Sequence, residues 1–415
     1  MAGLALALTF GLSACTDLEP FRCSTDADCG EGACFGRCAV ADSECESGFS
    51  FDESAGPDSG QCVEQQRADD PAPPESELDL PEPGLYVDAT AGDDLLGNGS
   101  KSAPYRTLTH ALSASDPGAI IKVAPGRYDA DLGERFPIRI PEGTAIIGDL
   151  ADRGQGETDE PVDDTLIAGD ALVPGTESYK AALVPAQGSI IAGLAIQTGD
   201  AMSTAGVFLN NTTAEVRDCS FLAGFNGVRI EGGGSSLIRN NYFDGSKLFG
   251  AIYSWQGDGN PEIANNTAAG LGSSISFQFG EPYIHHNTIE RTRSSAIYAG
   301  GGRVEANNIT GQSGIYAVCL NLAGPVVVRS NHCTISNALA AVRIRAQDPP
   351  DLGQHSDSGN NELFVTNTPA ILLDYAVDVT AIGNDWSGNF APDCEGIEGP
   401  AGSSVTYYPD QTCAP

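Results

Sequence analysis

The sequence predicts an all-β chain whose bulk is a right-handed parallel β-helix with an N-terminal capping helix, preceded by a small Cys-rich module. Three observations carry this reading. A short motif recurs at intervals of 20 to 25 residues, with a β-branched residue first and asparagine usually fourth. Glycine is abundant (50 of 415 residues), while aromatics make up 7% and methionine occurs twice, which suits tight turns between short strands. No helical periodicity runs through the repeats.

The first element is an address. Leu4 to Leu12 form an apolar run that ends in Leu12-Ser13-Ala14-Cys15. It is shorter than the roughly 20 apolar residues a membrane span needs, and a small-residue site follows it, as in a secretory signal peptide. The four residues resemble the lipobox of bacterial lipoproteins, which implies lipidation of Cys15 and anchoring of an exported protein at the outer membrane or cell surface. Met1-Ala2-Gly3 lacks the usual Lys or Arg. Residues 1–14 are therefore expected to be a signal peptide.

Residues 15–63 hold Cys23, Cys29, Cys34, Cys38, Cys45 and Cys62. Six cysteines in a polar segment too small for a core read as three disulfides in an exported protein, with the pairing left open. A zinc site fits less well, because no His and no Cys-x-x-Cys pair lies there. The pattern resembles small modules behind the lipobox of many predatory deltaproteobacterial lipoproteins. Residues 64–84 are acidic and Pro-rich, including Asp69-Asp70-Pro71-Ala72-Pro73-Pro74, and read as an extended spacer.

The β-helix is expected over 85–390. Leu85-Tyr-Val-Asp88 reads as a strand, Gly92 to Gly99 as a polar loop, and Pro104 to Leu112 as a short helix with apolar Leu108, Ala111 and Leu112. Ala119 to Val123 and Ala145 to Gly148 read as buried strands. A helix at this end covers a solenoid edge that would otherwise template association.

The repeats begin at Val216-Arg-Asp-Cys-Ser-Phe221. They continue from Ile238, Ile263, Ile284, Val304 and Val328, in steps of 22, 25, 21, 20 and 24 residues. Such a period, with short strands and no helix, means coils stacked about 4.8 Å apart. Asn241, Asn266, Asn287, Asn307 and Asn331 then form a ladder at an αL-tolerant corner, with Cys219 as a buried thiol in the first copy. The Leu-x-x-Leu-x-Leu signature of leucine-rich repeats is missing, and a propeller would use longer blades. In the tail, 391–415, Cys394 and Cys413 are expected to pair; Cys319 and Cys333 either bridge or fill the core.

The opening run Tyr-Val-Asp, Gly-Asp-Asp, Asn-Gly, Pro-Tyr-Arg-Thr, Val-Ala-Pro-Gly-Arg-Tyr and Gly133-Glu-Arg-Phe-Pro-Ile138 resembles the bacterial family called domain of unknown function 1565. That resemblance covers Leu85 to Asp149, extends through the repeats to about Trp386, and implies a pectin-lyase-like β-helix. It speaks to fold far more than to activity.

Charge excludes one class of partner. The net charge is −35, so no basic patch supplies the counterion release that nucleic-acid binding needs; a soluble monomer is expected. Between Thr16 and Glu82, 18 acidic residues stand against Arg22, Arg37 and Arg67, a net of −15.

A second strand follows each Asn corner by one further turn. Alternation points Val228, Ile252, Ile275, Ile297, Ile315 and Val342 inward. Arg229, Tyr253, Ser276, Tyr298, Tyr316 and Arg343 then stack outward, with Trp255, Gln278 and Arg345 two residues further on. The family resemblance implies that this is the substrate-facing sheet. Arg229, Tyr253, Trp255, Tyr298, Tyr316, Arg343 and Arg345 are therefore the candidate carbohydrate-binding residues, since aromatic faces pack on sugar rings and Arg pairs with carboxylates. Ordinary strand propensity of Tyr competes with that reading.

The leading expectation is non-catalytic polysaccharide binding or adhesion. A polysaccharide lyase acting on uronate-containing glycans is the alternative, with Arg229, Arg343 or Arg345 as base near Asp258, Asp348, Asp351 or Asp374. A structural envelope protein is the third. No catalytic residue and no cofactor is assigned. Ca²⁺ stays open through Asp93, Asp94 and Asn98, whose spacing departs from the EF-hand pattern. His285-His286 is not expected to hold a metal, because neighbours on a strand face opposite ways.

Overall fold

The computed structural model describes residues 84–155, 164–386, 396–408 and 411–414, together with the strands Ala33–Cys34, Cys38–Ala41 and Phe49–Phe51. Two compact units divide the chain, Met1–Asp79 and Leu80–Pro415. In the first, the three strands form an antiparallel sheet in which Cys34 lies opposite Cys38 and Ala39 opposite Phe51. The expected lipidation of Cys15, the disulfides of Cys23, Cys29, Cys45 and Cys62, and the spacer concern residues outside those described. So does Cys394; Cys413 is disulfide-bonded.

The second unit is a parallel β-helix, because each coil supplies three short strands that pair with the equivalent strands of the next coil. In the first strand position, Ile146, Ile191, Val216, Ile238, Ile263, Ile284, Val304 and Val328 sit directly over one another. In the second, Ile196, Phe221, Phe243, Ala268, Ile289, Ile309, Cys333 and Leu363 do the same. In the third, the column runs Leu183, Val207, Val228, Ile252, Ile275, Ile297, Leu320, Val342 and Ile371. All are buried. Each large aliphatic side chain so placed contributes about 1.5–3 kcal/mol of burial. Phe221 and Phe243 stack in this interior with ring centroids 4.7 Å apart.

The expected helix forms as α1 (Leu108–Ala114), capped by Thr107, whose side chain accepts from the His110 amide. Its buried face is Leu108, Ala111 and Leu112, and these belong to the main core. Glu134 is buried against its start and accepts from the amides of Leu108 (2.6 Å) and Thr109 (2.9 Å). Burial pushes its carboxyl above the ordinary carboxylate value.

The asparagine ladder is a column. Asn241 Nδ2 donates to Asn266 Oδ1, Asn266 to Asn287, Asn287 to Asn307 and Asn307 to Asn331, each at 2.9–3.0 Å. Two unexpected members extend it: Asn331 donates to Asn361 and Asn361 to Asn384. Each side chain also donates to a carbonyl of the preceding coil, as Asn287 does to Ile263. One detail corrects the sequence reading. The left-handed residue is the one before each ladder asparagine: Asn240, Asn265, His286, Ala306, Ser330 and Asn360 have φ between 49° and 56°, and Gly383 has φ 77°. The ladder asparagine follows that turn and seals it. Cys219 occupies the first corner as a buried free thiol, its amide donating to Asn241 Oδ1, and burial pushes the thiol up to about 12. Cys319 and Cys333 form a disulfide between buried positions.

Candidate functional site

The third strands fix the order of the outward residues. Cα register places Phe208, Arg229, Tyr253, Ser276, Tyr298, Asn321, Arg343 and Leu372 in one column. Arg229, Tyr253, Tyr298 and Arg343 are therefore aligned as expected. Tyr316 is not. Asn321 takes its place, Leu320 replaces Ile315 in the inward column, and Ile315 and Tyr316 are 72% and 69% exposed. The register shifts between Ile309 and Val318, so the extra residues of this coil bulge outward and the apolar strand begins later.

The aligned residues do not form one continuous stripe of free groups. Arg343 pairs with Asp374 through Nε (3.1 Å) and Nη2 (2.8 Å), and Arg345 lies 3.5 Å from the same carboxylate. Tyr298 donates to Gln278 at 2.8 Å. Asp351 serves a different sheet, where it and Asp357 clamp Arg329. Asp93, Asp94 and Asn98 spend their oxygens on the loop itself. Asp93 accepts from Leu95 and Leu96, Asp94 from Arg106 and Thr107, and Asn98 from Ser100.

A cleft of about 430 Å³ opens over the earlier coils of this sheet. The lining spans five successive rungs, from the strand after Tyr179 to the strand of Ser276, four steps of about 4.8 Å or about 19 Å in all. Arg229, Tyr253 and Ser276 line it together with Trp255, and four residues that alternation along the strands does not reveal join them: Tyr179, Met202, Phe225 and Phe249. Phe225 and Phe249 stack with centroids 4.9 Å apart. Met202, Phe249 and Trp255 are 81%, 55% and 50% exposed, an unusual density of uncovered apolar side chains on one face.

Arg229 organises the floor. Its guanidinium lies 4.1 Å from the Tyr179 ring centre and 5.1 Å from that of Tyr253, and it pairs with Glu231 at 2.6 Å. Both charged side chains are buried. Cation–π contact and a paired carboxylate together meet the desolvation cost of that burial. Burial also raises the Tyr253 hydroxyl above the ordinary phenol value. The Tyr253 ring therefore stays neutral beside the guanidinium.

The His pair departs from expectation in geometry. Because His286 has φ 54°, alternation breaks there, and its Nδ1 comes within 2.9 Å of His285 Nδ1. His285 Nε2 lies 3.1 Å from Glu262, and its ring stacks on Tyr283. Burial, and then His285, lower the His286 value. Among the described residues no group of three or more His, Cys, Asp or Glu is placed to hold a metal ion.

The family model for a protein of unknown function, DUF1565, matches residues 90–391. The chain belongs to the DUF1565 family. No curated protein matches this DUF1565 chain. Among solved structures, a GH136 lacto-N-biosidase from Eubacterium ramulus shares 12% identity and covers 76% of this chain and 67% of its own, with a TM-score of 0.33. A family 28 exopolygalacturonase from Yersinia enterocolitica shares 11%, covers 79% and 78%, and has a TM-score of 0.28. Overlaps that loose carry no information on what this DUF1565 member binds.

Proposed function

We propose that this protein is a non-catalytic glycan-binding protein of the cell envelope, anchored through Cys15, with the cleft around Arg229, Tyr253 and Trp255 as its binding surface. One observation carries the reading. Exposed aromatic side chains converge on a cleft whose lining, among the described residues, includes no Asp, Glu or Lys. Aromatic faces without a carboxylate suit the apolar faces of sugar rings, whereas hydrolysis needs a pair of acids at the bond to be cut. A lyase base is equally poorly supplied, because Arg229 is committed to Glu231 and Arg343 to Asp374.

The test is retention of the full chain in native gels cast with polysaccharides, beside absorbance assays for unsaturated uronate product. Retardation that Trp255→Ala and Phe249→Ala both abolish, with no product formed, is expected. Product formation, or retardation indifferent to both variants, overturns the reading. Incorporation of labelled palmitate that Cys15→Ala eliminates tests the anchor separately.

A further inference from the structure

Two imidazoles meet at the end of one first-position strand, away from the cleft. His285 closes the strand Tyr283–His285, and His286 follows it in the left-handed conformation at φ 54°. Alternation along a strand sends neighbouring side chains to opposite faces, and that would keep the two apart. The turn cancels the alternation, so the two Nδ1 atoms stand 2.9 Å from each other. Glu262, one coil earlier, lies 3.1 Å from His285 Nε2. A carboxylate only accepts, so Nε2 carries the His285 proton and Nδ1 carries a lone pair. The proton between the two rings then belongs to His286 Nδ1. His285 is held by that carboxylate and by the Tyr283 ring, on which it stacks with centroids 4.1 Å apart. His286 stands edge-on to it at 88° and is exposed.

We infer that His285 and His286 chelate a divalent transition-metal ion through their two Nδ1 atoms, with Glu262 orienting His285. Metal–nitrogen bonds of about 2.0–2.1 Å at right angles place two ligand atoms about 2.9 Å apart, which is the separation already present. A carboxylate on the far nitrogen of a ligating imidazole fixes its tautomer and raises its basicity. The ion replaces the proton between the rings: the exposed His286 ring turns its Nδ1 lone pair toward it, and the displaced proton passes through solvent to His286 Nε2. Among the described residues no group of three or more His, Cys, Asp or Glu is placed to hold an ion, so water completes the coordination. Two imidazoles with water oxygens in a tetragonal arrangement suit Cu²⁺ and Ni²⁺, and Cu²⁺ stands highest in the general affinity order. Ca²⁺ and Mg²⁺ call for oxygen ligands and gain nothing from this pair.

The chain's 56 acidic residues offer oxygen ligands to the same ions, so the experiment must read nitrogen. The full chain, stripped with EDTA, is titrated with Cu²⁺, Ni²⁺, Zn²⁺ and Ca²⁺ by calorimetry, and its Cu²⁺ complex is examined by electron paramagnetic resonance. One tight Cu²⁺ site per chain is expected, with hyperfine splitting from two nitrogens. His285→Ala and His286→Ala should each weaken that site about a hundredfold, because each removes one arm of the chelate, and should leave splitting from a single nitrogen. Glu262→Gln keeps both ligands and should weaken it about tenfold. His332→Ala removes a histidine that pairs with Glu362 and should leave the site unchanged. A melting temperature of metal-free His286→Ala equal to the parent's is expected from its exposure and shows that the lost affinity is not lost folding. Full affinity in both alanine variants, splitting from fewer than two nitrogens in the parent, or displacement of Cu²⁺ by Ca²⁺ overturns the inference. Absence of saturable binding by Cu²⁺, Ni²⁺ and Zn²⁺ does so as well.

Discussion

Replacing Asn287 with alanine removes one rung of the corner ladder, and the structure fixes what that costs. Asn287 Oδ1 accepts from the Asn266 amide and from Asn266 Nδ2, both at 3.0 Å. Its Nδ2 donates to the carbonyls of Ile263 (2.9 Å) and His285 (3.0 Å) and to Asn307 Oδ1 (2.9 Å). Some partners have substitutes: Asn266 Nδ2 keeps Ile238, and Asn307 Oδ1 keeps the Asn287 amide. The Asn266 amide loses its acceptor in a site closed to water, at about 1–3 kcal/mol, and the remaining bonds add a net 0.5–1.5 each. Counting the Asn266 amide and the two carbonyl bonds to Ile263 and His285, the total is about 2–6 kcal/mol. Asn287→Asp should cost more than alanine, because it retains the acceptor but sets a buried carboxylate against Asn307 Oδ1 and the Ile263 carbonyl. Urea unfolding followed by far-ultraviolet circular dichroism measures both, with exposed Glu281→Ala as a control expected within about 0.5 kcal/mol of the parent. An Asn287→Ala variant as stable as that control would refute the reasoning.

Other residues give independent tests. Ala306 occupies the left-handed turn at φ 49°, so Ala306→Gly should stabilise by about 1 kcal/mol, read as a raised urea midpoint. Glu231→Gln leaves the Arg229 guanidinium buried without its anion and should cost about 3–5 kcal/mol, while Arg229→Met with Glu231→Leu should recover much of that loss. Cys319–Cys333 closes a 14-residue separation, worth about 3 kcal/mol, so Cys333→Ala should lower the urea midpoint in non-reducing buffer and should lose less stability than the parent when dithiothreitol is added. His286 should titrate below the ordinary imidazole value of 6.5, chiefly through burial. Because its folded value is depressed, its contribution is present above the unfolded value and lost as pH falls through the folded one. Proton-detected imidazole titration checks the midpoint, and a value at or above 6.5 contradicts the lowering by partial desolvation and by neighbouring His285.

The repeat was legible because stacking demands like residues at like positions, and Ile238, Ile263, Ile284 and Val304 recur at nearly even spacing. Helix α1 was legible from the spacing of Leu108, Ala111 and Leu112. The last members of the ladder are hidden in the sequence because a long excursion between Val328 and Asn361 breaks the period, although Asn360-Asn361-Glu-Leu363 echoes Asn240-Asn241-Tyr-Phe243. Gly314-Ile-Tyr316 resembles Ala251-Ile-Tyr253 and Ala296-Ile-Tyr298 in sequence, but the residue count from the preceding strand sets it apart. Ile309 to Ile315 is six residues, whereas Ile289 to Ile297 is eight and Cys333 to Val342 is nine. The site was legible only in part. Arg229, Tyr253 and Trp255 follow from strand alternation, but Tyr179 and Met202 reach the cleft from loop residues just before strands, and Phe225 and Phe249 from early in the strands Ser220–Glu231 and Leu248–Ser254, ahead of the aligned columns. The partners that neutralise the arginines were equally hidden: Glu231 is local, but Asp374 lies 31 residues from Arg343 and meets it only through the stack.

The chain has two tryptophans, Trp255 on the cleft rim and Trp386 packed against the core. In full-length Trp386→Phe the emission reports Trp255 alone. Titration with the polysaccharide that retards the chain in native gels should give a saturable change in that emission. Retardation by a polysaccharide that leaves the emission of Trp255 unchanged would place the sugar elsewhere on the molecule and contradict the assignment of the cleft.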